Sequence, residues 1–299
     1  MNPEHQLLVA VLGRGVLRDH RGVVTADDLG LTRGDGVFDA TRVVTAPDGS
    51  SRVDQLDAHL QRFARSIAGV DGPTPDLEAW RRLIDEAVAA WRFPGEAVLK
   101  IIHTNGPEVM PGLPVGLLTI APLSDHALEE RDGIDVVCLS RGVTSTSCSG
   151  CPWLLGGVKT LAYAVNVAAL REASRRGADD VIFTSTDGFL LEGPTSGLLV
   201  EAGGSLWTTP TGATGILQSI TVETVLERAD EEGVPTASRL MRPAELPAAQ
   251  GVWLASSVRG VVPVRTVDGV PIPTDEAMTA RMRSWAGFGE EMGRPSWDV

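Results

Sequence analysis

The chain has 299 residues, 43% hydrophobic and 22% charged, which suits a globular protein of two modest domains or one large one. A formal net charge of -13 argues against nucleic acid and anionic membrane as partners, since both ask for a basic face, so an anionic ligand has to be held locally. No apolar run reaches the ~20 residues that cross a bilayer, and the short apolar run near the start has no basic leader, so the expected location is cytoplasmic.

Residues 1–121 read as a small α/β module. GVFDATRVV (36–44) is a strand after the turn RGDG. Leu56, Leu60, Phe63 and Ile67 recur at helical spacing, as do Leu77, Trp80, Leu83, Ile84, Ala87 and Val88. Strands follow at AVLKIIHTNG and VGLLTIAPL, with a domain boundary expected near residue 122. Residues 122–299 read as a larger, mostly β domain. IDVVCLS is its first strand, the Gly/Ser/Thr/Cys-rich stretch 141–157 is a loop, and a helix is predicted to begin at Lys159. Asp187-Gly188 and Gly203-Gly204 each separate two apolar runs, the signal of a hairpin. TVETVLERADEEG is a helix, and GVWLASS and GVVPVRTVDGVPI are strands.

Lys159 is one of only two lysines, against 24 arginines, and Tyr163 is the only tyrosine. Of the two cationic side chains, only the amine readily sheds its proton and condenses with a carbonyl. GC-rich coding also depletes lysine without choosing the survivors. On a helix, Lys159 and Tyr163 would share one face. Glu192 ends the apolar run FLLEG, a position that is often just a solvated strand end. Ser219 or Thr221 caps the helix that follows, and its N-terminus offers unpaired N–H donors suited to a phosphate. ASSVRG (255–260) is a second hydroxyl-rich turn, and Arg62 on the first-domain helix is a possible cationic clamp. CSGC (148–151) is a single C-x-x-C without a second ligand pair, so neither zinc nor redox chemistry is expected, and the metal expectation is none.

The motifs RGDGVFDATRV, HLQRFARS, KTLAYAVNVAAL, DGFLLEGPTSGLLV, GILQSIT and SSVRGVVPV, in this order, resemble the class IV (fold-type IV) pyridoxal-phosphate enzymes. These include branched-chain and D-amino-acid aminotransferases and aminodeoxychorismate lyase. The resemblance implies a two-domain α/β (α+β) fold, a homodimer, and pyridoxal 5'-phosphate as cofactor. It makes Lys159 the catalytic Schiff-base lysine, Glu192 the partner of the pyridine nitrogen and Tyr163 the group near the phenolic oxygen. Arg62, Ile220, Thr221 and Ser257 match phosphate positions, and Leu217 matches the side chain against the ring.

GDGVFDATRV is similar to the lyase form of its motif, which implies 4-amino-4-deoxychorismate lyase, giving p-aminobenzoate and pyruvate for folate biosynthesis. A D-amino-acid or branched-chain aminotransferase and a non-catalytic relative are the alternatives. Val98 and Lys100 stand where branched-chain enzymes carry Tyr-x-Arg. Ser219 and Val222 stand where glycine and arginine are common in the cap motif. The candidate contacts to an amine or amino-acid substrate are Phe38, Arg42, Lys100, Ser256 and Arg259.

Overall fold

The computed structural model describes residues 7–18 and 22–289. It divides into two compact units. Among the described residues, the first runs to Ser124 and takes in Val158–Tyr163; the second comprises Asp125–Gly157 and residues 164–289. Lys159 therefore belongs to the first unit, not to the second domain where the sequence placed it.

The first unit is built on a six-stranded sheet. Its elements are β1 (Leu8–Val11), β2 (Gly15–Val16), α1 (Leu29–Arg33), β3 (Gly36–Thr45), β4 (Ser51–Val53), α2 (Leu56–Gly69), α3 (Leu77–Ala90), β5 (Gly95–Thr104) and β6 (Val115–Pro122). The strand order is β2-β1-β6-β5-β3-β4. Both predicted helices form, each burying its apolar stripe: Leu60, Phe63 and Ile67 from α2, and Trp80, Leu83, Ile84 and Ala87 from α3. These meet Val37, Val43, Leu99, Ile101, Leu118 and Ile120 of the sheet in one core. Gly34 ends α1 in the left-handed conformation at φ 69°, which a Cβ would penalise. At Gly36 an added Cβ would lie 2.4 Å from the His103 carbonyl oxygen, so the GDG turn has no room for a larger residue.

The second unit carries an eight-stranded sheet. In chain order it contains α4 (Asp125–Glu129), β7 (Ile134–Ser140), α5 (Ala164–Arg175), β8 (Asp180–Thr184), β9 (Gly197–Ala202), β10 (Ser205–Thr208), α6 (Ile220–Glu231), β11 (Thr236–Ser238), β12 (Gly251–Ser256), β13 (Gly260–Val267), β14 (Val270–Pro271) and α7 (Glu276–Trp285). The order β11-β10-β9-β12-β13-β7-β8, with the eighth strand β14 paired to β13 off this path, mixes antiparallel pairs with the parallel pairs β13/β7, β7/β8 and β10/β11. The Gly203-Gly204 hairpin forms as β9/β10, with Ala202 opposite Ser205. At Asp187-Gly188 the chain also reverses: Thr184 bridges Leu190, and backbone hydrogen bonds join Ser185 to Phe189 and Phe183 to both Leu191 and Glu192. Short α1, β11 and α7 escaped the sequence reading; α7 has little apolar periodicity and is fixed by Met278 and Met282 in the core.

Within the first unit, α2 is tied to β3 by a buried ion cluster. Asp39, fully buried, accepts from Arg62 Nε at 2.8 Å and Nη2 at 2.7 Å, and from His59 Nδ1 at 2.8 Å. Burial alone would raise the Asp39 carboxyl, but the hydrogen bonds from Arg62 and His59 outweigh it and hold the group well below the usual carboxylate range. Burial also pushes the His59 imidazole below 6.5, against the pull of Asp39. Both groups have lowered folded pKa values, so both stabilise the fold above their unfolded pKa and lose that contribution as pH falls. Urea midpoints are expected to be flat near neutrality and to fall first below about pH 6.5 through His59, then below about pH 4 through Asp39. Asp39→Asn, which leaves Arg62 buried without its counter-charge, is expected to cost about 3–5 kcal/mol at pH 7; an unchanged urea midpoint would show that the cluster does not hold α2 to β3.

Candidate active site

In the first unit, Lys159 does not begin a helix. α5 starts at Ala164, and Val158–Tyr163 instead lies along β3. The Phe38 N–H donates to the Lys159 carbonyl at 3.0 Å, the Leu161 N–H donates to the Gly36 carbonyl at 2.8 Å, and Thr160 bridges Val37. The Lys159 N–H donates to Ser66 Oγ of α2 at 3.3 Å. The open edge of β3 thus wins over the helical spacing of residues 159 and 163, because backbone donors and acceptors there need partners.

This arrangement sets the Lys159 amine 4.4 Å from the Phe38 ring centroid and 5.7 Å from that of Tyr163. The two rings meet edge to face at 5.2 Å. The second lysine, Lys100 on β5, reaches the same Phe38 ring at 5.8 Å and makes no ion pair among the described residues. Lys159, Tyr163, Phe38 and Lys100 are therefore brought together, though not on the helix face the sequence suggested. An ammonium over an aromatic face is held there by the ring quadrupole.

Two substrate candidates are placed otherwise. Arg42 is buried and bound to Asp54 and Glu96 at 2.7 and 3.2 Å, so its charge is taken up inside the first unit. Arg259 is buried in the second unit on Asp180 at 2.6 Å and Glu130 at 2.9 Å, so its guanidinium is likewise spent on internal carboxylates. Arg62 keeps its place on the buried face of α2, with its Nε and Nη2 edge fixed by Asp39. Asp39 and His59 escaped the sequence reading, although His59 lies one helical turn before Arg62 and could have been paired with it.

In the second unit, Glu192 follows the Thr184/Leu190 bridge. Its carbonyl accepts from the Phe183 N–H at 2.9 Å, and its Oε2 accepts from the Leu217 N–H at 3.1 Å. A carboxylate held by a backbone donor is an oriented acceptor. Leu217 leads to α6, which Ser219 caps through its Oγ on the Val222 N–H at 3.3 Å. Ser219 and Val222 both pack against Gly197, where an added Cβ would lie 2.7 Å from Val222 Cγ2. Ile220 and Thr221 form the first helical turn, where N–H groups lack intrahelical acceptors. Thr221 Oγ1 lies 3.0 Å from Ser257 Oγ, and Ser256 Oγ accepts from the Arg259 N–H at 3.2 Å. Hydroxyls and helix N–H groups so combined form an anion-binding surface.

Residues 141–157 consist of turns with one 3₁₀ turn, Pro152–Leu154, as their lack of periodicity suggested. Cys148 and Cys151 are free thiols, and burial pushes the Cys138 thiol up to about 12, out of nucleophilic range at pH 7.

The residue types, unit by unit, fit what pyridoxal phosphate needs: the first unit offers an amine, and the second an oriented carboxylate and a helix N-terminus with two hydroxyls. Comparison with known proteins agrees. Residues 36–267 match the family described as amino-transferase class IV. The bifunctional aminodeoxychorismate lyase / D-amino acid transaminase of Mycobacterium tuberculosis is 37% identical over 275 residues, covering 89% of this chain and 93% of that protein. A solved structure described as a hypothetical aminotransferase from M. tuberculosis in its PLP-bound form superposes with a TM-score of 0.88 at 35% identity, covering 94% of this chain and 98% of the other. A fold IV-transaminase from Curtobacterium pusillum gives 0.86 at 38%, covering 94% and 97%. With its lysine, its carboxylate and its capped helix all inside the matched span, this chain is a pyridoxal-phosphate enzyme of the class IV aminotransferase family, with the fold-type IV architecture.

Proposed function

We propose that the chain is a 4-amino-4-deoxychorismate lyase, releasing p-aminobenzoate and pyruvate. The observation that carries this is the 37% identity, across nearly the full length of both chains, to a protein named for that lyase activity. The setting of Lys159 supplies the chemistry. Because that relative is named as bifunctional, D-amino-acid transamination is the second reading. Val98 and Lys100, in place of Tyr-x-Arg, count against branched-chain substrates.

When bound, the cofactor supplies an electron sink for charge that develops beside the substrate nitrogen. Lys159 would hold it through Nζ, and Glu192, steadied by the Leu217 N–H, would pair with its ring nitrogen. Tyr163 would hydrogen-bond its phenolic oxygen, and Leu217 would pack on its ring. Arg62, the Ile220 and Thr221 N–H groups and the Ser257 hydroxyl would hold its phosphate. Lys159 Nζ would also serve as the base that takes the proton from the amine-bearing carbon of the substrate and as the acid that delivers one to the methylene of the departing enolpyruvyl group. In the substrate the ether C–O bond then breaks, and formation of the aromatic ring drives the elimination. Phe38 and Ser256 border the substrate, and Lys100 faces its carboxylate. Transamination would use the same lysine.

The second copy of a homodimer is part of this reading. Leu31, Val109 and Met110 are all more than half exposed, and the backbone bonds Leu29 N–H to Gly106 O and Glu108 N–H to Asp27 O hold their segments together. Light scattering is expected to give about twice the 31.6 kDa chain mass, and Val109→Asp with Met110→Asp to shift it toward one copy; a single-chain mass for the parent would remove the homodimer.

The purified enzyme is expected to show visible absorbance that borohydride abolishes, and Lys159→Ala to lose both that absorbance and at least about 10²–10⁴-fold of turnover. Incubation with aminodeoxychorismate should give p-aminobenzoate and pyruvate in equal amounts. Keto acid from D-alanine without p-aminobenzoate would leave only the transaminase. Lys100→Met is expected to raise KM about 10–100-fold with little change in kcat, the size of a charge-assisted hydrogen bond to a carboxylate; an unchanged KM would take Lys100 out of substrate binding.

A further inference from the structure

The loop between β12 and β13 contains only Ser257, Val258 and Arg259, since Ser256 pairs with Gly260 across the hairpin. Its outer side is gripped by arginines. Arg131, in the 3₁₀ turn Glu130–Asp132, donates from Nε to the Arg259 carbonyl at 2.9 Å and from Nη2 to the Val258 carbonyl at 3.2 Å. Arg283 of α7 donates from Nε to the Val261 carbonyl at 3.0 Å, and also to the carbonyl of Arg131 itself. The Arg131 guanidinium stacks at 5.3 Å on Phe288, whose ring also closes the space over Gly260.

The Arg259 side chain runs the opposite way, into the unit. It is 8% exposed and forked between Asp180, 1% exposed, and Glu130. Burial opposes the Arg259 charge, but Asp180 and Glu130 outweigh it and raise the group above its ordinary value. Glu130 and Arg131 are sequence neighbours, so one short turn binds the loop twice, once through the Arg259 side chain and once through the loop carbonyls. A three-residue loop pinned at two carbonyls and by its own buried side chain has few conformations left, and the Ser257 hydroxyl is delivered beside Thr221 at the start of α6.

We propose that Arg131 and Arg259, with Glu130 and Asp180, are positioning residues that preset the Ser257 loop to receive the cofactor phosphate. Arg131 is engaged by the loop carbonyls and Arg259 by the two carboxylates, so they act by lowering the ordering cost of phosphate binding. This rests on the assignment of Ser257 and Thr221 to the phosphate.

The test compares pyridoxal phosphate with pyridoxal, which forms the same bond to Lys159 but lacks the phosphate. Apoenzyme is titrated with each, and the ratio of the two Kd values is read for the parent, Ser257→Ala, Arg131→Gln and the charge-balanced pair Arg259→Gln with Asp180→Asn. Thermal melts record whether each variant folds. The parent is expected to prefer the phosphate form strongly, and Ser257→Ala to narrow that preference. Arg131→Gln and the double variant should narrow it at least tenfold by weakening pyridoxal phosphate alone, with pyridoxal affinity unchanged within twofold. Equal weakening of both ligands would make the cluster a mere support of the fold and overturn the proposal. A parent-like ratio in folded Arg131→Gln would also overturn it, and that variant decides if the double variant fails to fold. If Ser257→Ala itself keeps the parent ratio, the phosphate assignment falls and takes the proposal with it.

Discussion

Two backbone hydrogen bonds, Phe38 N–H to Lys159 O and Leu161 N–H to Gly36 O, decide where the Lys159 amine stands. They add a short edge segment to β3, and the alternation of side chains along a strand does the rest. Phe38 points to the face where the amine lies, while its neighbours Val37 and Asp39 are fully buried. The Asp39 cluster then locks β3 to α2, which also supplies Ser66 to the Lys159 N–H. None of these bonds depends on the Lys159 side chain. The main chain therefore fixes where the Lys159 side chain starts.

The second unit follows the same rule with different groups. Glu192 is oriented by the Leu217 N–H, α6 is begun by Ser219, and the Ser257 hydroxyl is delivered by a short hairpin loop. A chain of net charge -13 has a poor long-range field for an anion, so it relies on local donors. Its buried arginines are first of all structural. Arg42, Arg62 and Arg259 each satisfy internal carboxylates, and the fork of a guanidinium fixes direction as well as charge.

Much of the fold was legible in the sequence because apolar spacing carries it. The stripes of α2 and α3, the long strands β3, β5 and β6 and the β9/β10 hairpin all announce themselves by period or turn chemistry. Lys159, Glu192 and the α6 cap were also visible, as an unusual residue, an acid after an apolar run and a hydroxyl before a helix. What escaped was set by distant pairing. The period from 159 to 163 favoured a helix, and only the free edge of β3, more than a hundred residues earlier in the chain, turns that segment into an extended one. Arg42 and Arg259 looked like ligands because an arginine's partner is invisible until the chain folds, and Asp39 looked like an ordinary strand residue for the same reason.

The chain leaves the first unit at Ser124, returns for Val158–Tyr163 and departs again. The two units are thus not beads on a string, and their inheritance is tied. A chimera joined in the linker near residue 124 would take β3 from one parent and the lysine that docks on it from the other. Exchange of whole units between relatives is therefore filtered by a backbone match of a few residues, while exchange of the loop at 141–157, which lies wholly on one side, escapes that filter.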